Sequence, residues 1–156
     1  MLFRSEEVRL LASQAAAPEA AALLEKNATD PRVRTGTLDA LLKFRTSLPG
    51  PAIEPIVAKA AAALLVPGAS VADRDLALKL VGGFKTQSLE PAVTALACDP
   101  AAPADLRKSG LRCLRELGSL SANAGRAILA ASTVAAALRA DAVAAWAESQ
   151  IGRAHV

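Results

Sequence analysis

The chain has 156 residues, 53% of them hydrophobic but only 3% aromatic, with 18 Lys and Arg against 15 Asp and Glu. That is the length of one domain, with enough Ala, Leu and Val to bury a core through small, closely packed elements. Long uncharged stretches such as Ala127 to Leu138 fall well short of the roughly 20 residues a membrane span needs, so no membrane partner is expected.

The ends do not read like the rest. With Met1 taken from a GTG start, Met1 to Ser5 can be written GTG CTC TTC CGA TCT. The reverse complement, AGATCGGAAGAGCAC, can be read through the last bases of the Gln150 codon and on into Ile151, Gly152, Arg153, Ala154 and His155. This inverted repeat resembles the adapter ligated to fragments in short-read sequencing libraries. Residues 1–5 and 151–156 are therefore expected to be adapter-derived, and 6–150 to be a repeat domain cut from a longer protein. The encoding DNA tests this, because other codons at either end break the match. Setting those ends aside removes His155, the only histidine, and brings the net charge from +3 to +1. General-base, triad and common zinc chemistry lose their imidazole, and most of the hint of nucleic acid goes with the charge.

In chain order, the first helical stretch runs from Pro18 to Lys26. Asp30-Pro31 then offers a capping carboxylate before a proline whose missing N–H costs nothing in a first helical turn. A second helix follows through Val33, Leu38, Leu41 and Phe44. The breakers "SLPGP" (47–51) lead into a helix over Ala52 to Val66, and "PGAS" (67–70) into another through Leu76, Val81 and Phe84. Asp73 and Asp75 at its start read as caps and dipole partners, and Gly82-Gly83 as a helix end or close-packing point. Ser88 and Ser121 are placed to cap stretches 88–97 and 121–131, each followed by a further helix. No segment sustains the alternation a strand needs, so the fold is expected to be all-α.

The second helix of each pair repeats. "RVRTGTLDALLKF" (32–44) aligns without a gap on "DLRKSGLRCLREL" (105–117), placing Arg34 on Arg107 and Leu38 on Leu111. The template fits Leu138, Arg139, Val143 and Trp146 as well, and fits 76–84 with Ala77 in the arginine position. Anchors at 33, 76, 106 and 138 are separated by 43, 30 and 32 residues, the range of two-helix repeats. One such pair cannot bury its apolar face alone, but a stack can.

This pattern resembles the HEAT-repeat and armadillo-like family, carried most clearly by 30–44 and 97–117. The resemblance implies an α-α superhelix, a short right-handed solenoid of about four helical hairpins. It also implies an Asp–Arg ladder between repeats, from Asp30 with Arg34 and from Asp99 or Asp105 with Arg107. The family's fold says little about function.

No catalytic, cofactor or metal residues are assigned. Cys98 and Cys113 have no metal spacing and are expected to be buried free thiols. Trp146 sits on the apolar register and reads as core. Glu6, Glu7 and Glu116 have no poised partner for acid–base work. On the third anchor helix, Leu106, Cys113, Leu114 and Leu117 are assigned to one face and Arg107, Lys108, Arg112 and Arg115 to the opposite one. With Arg74 and Lys79 these form a candidate basic ridge for an acidic partner. The same side chains also read as an ordinary solvated face, moderated by Asp105 and Glu116.

The leading expectation is a non-enzymatic scaffold binding another protein or a neighbouring domain of the same chain, with no cofactor. A second is a helical spacer in a large bacterial protein: "DPAAPADLR" is similar to HEAT segments joining a propeller dehydrogenase to a cytochrome c domain, which would put a CxxCH haem site downstream. A nucleic-acid binder ranks last, given the charge of +1 between the ends and the scarcity of aromatics.

Overall fold

The computed structural model describes residues 5–118 and, beyond them, 136, 139–140, 142–144 and 146–147, all of these last helical. Helices are the only regular elements among the described residues: α1 (Ser5–Ser13), α2 (Pro18–Thr29), α3 (Arg34–Phe44), α4 (Gly50–Leu64), α5 (Val71–Phe84), α6 (Glu90–Cys98) and α7 (Ala104–Glu116). Short 3-10 turns at Arg45–Ser47 and Gln87–Leu89 follow α3 and α5. The expected helix over 121–131, the Leu138 anchor and both unusual ends lie outside the described residues.

The helices pack as hairpins set side by side. Among the closest partners are α4 with α5 and α6 with α7; α3 packs on α5 and α5 on α7, with α1 against α3 at the near end. On the other side α2 packs on α4, and the Gln87–Leu89 turn also rests on α4. An ion pair between Lys59 of α4 and Glu25 of α2 spans that second contact.

Apolar residues at helical spacing account for the packing. Leu24, Leu38, Leu41, Ile53, Val57, Leu80, Val93 and Leu114 are fully buried, so every helix from α2 to α7 contributes. Each such side chain stabilises the fold by roughly 1.5–3 kcal/mol through burial. Alanine and glycine let the helices approach closely: a Cβ added at Gly110 of α7 would lie 3.3 Å from the Cβ of Ala97 on α6. Ala142 is buried and Trp146 half-buried against the same core. Val143, expected on the apolar register, is instead 46% exposed, because Ala142 takes the inward position four residues before Trp146.

The caps differ from those expected. Asp30 starts no helix: its Oδ1 accepts the Arg32 N–H at 3.0 Å within a turn, and α3 begins only at Arg34. Ser88 lies inside a 3-10 turn, and α6 starts after Leu89 with no side-chain cap. Ser70 is the true cap of α5, accepting from the Asp73 N–H at 3.1 Å while its hydroxyl donates to Asp73 Oδ2 at 2.9 Å.

The implied ladder also takes another form. Arg34 turns away from Asp30, and its Nη2 donates to Asp73 Oδ1 at 2.9 Å, tying α3 to the start of α5 in the next hairpin. With both side chains about a quarter exposed, such a pair is worth at most about 1 kcal/mol. Arg107 pairs with neither Asp99 nor Asp105: its Nε donates to the Ala97 carbonyl at 3.2 Å, while Asp99 Oδ1 accepts the Ala101 N–H at 2.9 Å.

At the end of α5 the N–H groups of Lys85 and Thr86 return to the Gly82 and Val81 carbonyls, at 3.3 and 3.0 Å, in a Schellman closure. The left-handed position belongs to Lys85, at φ 53°, where glycine is usual. Lys85→Gly is therefore expected to raise stability by about 0.5–1 kcal/mol, read as a higher urea midpoint.

Candidate functional site

An open groove of about 580 Å³ runs over the ends of α3 and α5 and the second half of α7. Arg45 of the turn after α3, Lys79 and Lys85 of α5 and its end, and Arg112 of α7 stand around it. All four are exposed. Beneath them the floor is made by Leu42, Leu78, Gly82, Gly83 and Cys113.

The glycine pair explains why a groove exists there. A methyl on Gly83 would come within 3.1 Å of Leu42 Cδ2, and one on Gly82 would meet the Glu116 carboxylate. Without those methyls α5 can lie low between α3 and α7. Glu116 takes the space over Gly82, putting a negative charge on the floor of an otherwise basic groove.

Electrostatics and burial set the chemical character of each group. Lys79 donates to Asp75 Oδ2 at 2.8 Å, and this bond, opposed by partial burial and helped by the Ser109 hydroxyl, holds the Asp75 carboxyl below its usual range. The Cys113 thiol is pushed up to about 12, first by burial and then by the Glu116 charge, although hydrogen bonding with the Gly82 backbone and the Arg112 charge both favour the thiolate. It stays a protonated thiol at neutral pH, a packing group and not a nucleophile. Cys98, half-buried on α6, is also raised, by burial, and both cysteines are free.

The expected ridge does not survive as one surface. Lys79 and Arg112 come together in the groove. Lys108 and Arg115 are exposed on α7 but line no part of it. Arg74 is half-buried near the start of α5, with its Nε enclosed and without a hydrogen-bond partner. Arg107 must be removed from the ridge: it is 6% exposed, on the buried face of α7. Arg45 and Lys85 take the vacated roles and went unassigned in the sequence. One signal could have found them, since each directly follows the phenylalanine that ends its helix, as Phe44-Arg45 and Phe84-Lys85.

No family model, no curated protein and no solved structure matches this chain. Among the described residues no three His, Cys, Asp or Glu side chains are grouped as a metal site would require, and no helix is long and apolar enough to cross a membrane.

Proposed function

We propose that the chain is a non-enzymatic binding scaffold, a short right-handed HEAT-like stack of helix pairs whose α3–α5–α7 side receives an acidic segment of another protein or of a neighbouring domain. Support for the stack comes from the pairing of successive hairpins, α3 on α5 and α5 on α7, with α2 on α4 opposite. The observation that carries the functional reading is the groove itself: four exposed cations from three successive hairpins around a glycine floor. Cations spread along an open channel attract an extended chain of opposite charge and set its register.

The test is charge reversal in the groove. Lys79→Glu combined with Arg112→Glu is expected to weaken binding of a labelled peptide of about ten residues, glutamate alternating with alanine and leucine, by at least tenfold in fluorescence anisotropy. Retained far-ultraviolet circular dichroism and urea midpoint would show that the fold is intact. Unchanged affinity in the folded double variant overturns the reading.

A further inference from the structure

We propose that Glu116, laid over Gly82 on the floor of the basic groove, is a specificity residue that turns away evenly charged polyanions and admits an acidic polypeptide segment interrupted by apolar residues. The proposal rests on the groove being the binding surface. The decisive observation is positional: a Cβ built on Gly82 would run into Glu116 Oε2, so the carboxylate lies against the helix backbone at Gly82, in the groove that the cations of α5 and α7 also line.

That position discriminates by charge spacing. Neighbouring helices pack about 9 Å apart, so the groove is about 18 Å across its three helices and takes roughly six residues of extended chain. Within a screening length of about 8 Å, a uniform polyanion must set one of its charges against Glu116. A polypeptide avoids this, because side chains on one face of an extended strand recur about every 7 Å and alternate with those on the other. Such a segment can direct carboxylates to Arg45, Lys85 and Arg112 while an apolar side chain lies over Glu116, Leu78 and the glycines. A nucleic acid cannot leave a phosphate out, and the groove lining contains no aromatic ring on which a base could stack. Repulsion built into a site in this way is how proteins reject the wrong partner.

The test measures three labelled probes by anisotropy against the whole chain: the alternating glutamate/apolar peptide, an oligoglutamate of equal length and a single-stranded oligonucleotide. The wild type is expected to bind the alternating peptide at least about tenfold more tightly than either uniform polyanion. Glu116→Gln is expected to narrow that gap to about threefold or less by raising the affinity of the uniform probes. Gly82→Ala keeps the charge but evicts the carboxylate, and is expected to narrow the gap in the same direction. Glu54→Gln, which removes an exposed carboxylate on α4 away from the groove, should leave it unchanged. The assignment is overturned if the wild type shows no preference, if Glu116→Gln strengthens all three probes equally, or if Gly82→Ala leaves the gap intact. In those cases the groove remains a binding surface; if the wild type binds none of the probes, the scaffold reading falls with it.

Discussion

Leu80→Ala is expected to destabilise the chain by about 3 kcal/mol, within the range of roughly 2–5 kcal/mol for leucine truncation in a close-packed interior. Leu80 is 0% exposed, and α5 is the helix that every neighbouring layer leans on: α4 in its own hairpin, α3 before it and α7 after it. The truncation removes buried methyl groups and leaves a cavity that three separate helices would have to move to fill. A urea titration is the check, with the midpoint falling and the slope holding if the native surface is unchanged. Leu23→Ala, at a leucine 42% exposed on α2, supplies the contrast, with a change within about 0.5 kcal/mol. Equal effects at the two positions would mean that the helices do not pack as described.

The second large effect separates two arginines that look alike in the sequence. Arg107→Ala is expected to cost about 2–3 kcal/mol, and Arg112→Ala less than about 0.5 kcal/mol. Arg107 is 6% exposed, its stem fills space between α6 and α7, and its Nε satisfies the Ala97 carbonyl near the end of α6. Its Nη2 is enclosed and without a hydrogen-bond partner, so the guanidinium is held by packing at least as much as by hydrogen bonding. For this reason Arg107→Met, which keeps the stem and discards the charge, should recover most of the lost stability. In binding assays the ranking reverses: Arg112 variants change affinity for acidic peptides, whereas Arg107→Met leaves it near the wild-type value. A destabilising Arg112→Ala together with a neutral Arg107→Ala would refute the placement of both.

These two arginines also show how far the sequence could be read. Helical periodicity was sufficient for α2 to α7, because apolar residues recur at three- and four-residue steps and Pro, Gly and Ser punctuate the ends. The same periodicity, applied more strictly, places Arg107 among buried residues: Leu111 and Leu114 follow it four and seven positions later, and all three are buried. Treating α7 as having one narrow apolar stripe hid this. The helix is covered on two sides, by α6 and by α5, and its buried arc is correspondingly wide. α1, "SEEVRLLAS", was not assigned, although Val8 and Ala12 pack inward from it. Half of the groove was hidden for a different reason. Arg45 and Lys85 lie just past their helices, where the path of the chain after the last turn decides which way a side chain faces. Glu116 was legible as a charge, but only the approach of α7 to the bare backbone at Gly82 gives it a location.

The groove crosses three helices that touch in sequence, α3 on α5 and α5 on α7, and this arrangement has a mechanical consequence. Any flexing between hairpins changes the distance from Arg45 to Arg112, so on the proposed reading the spacing of these helices and the grip on an occupant are one variable. A segment lying across the groove would act as a splint, stiffening α3 and α7 against α5, and by reciprocity a tension that draws these helices apart would loosen the segment. Gln87 strengthens the coupling on one side, its amide donating to the Leu117 carbonyl at 2.7 Å so that the α5–α6 connector holds the end of α7. Stretching the chain would be felt at the groove as an increase in off-rate before any helix unravels.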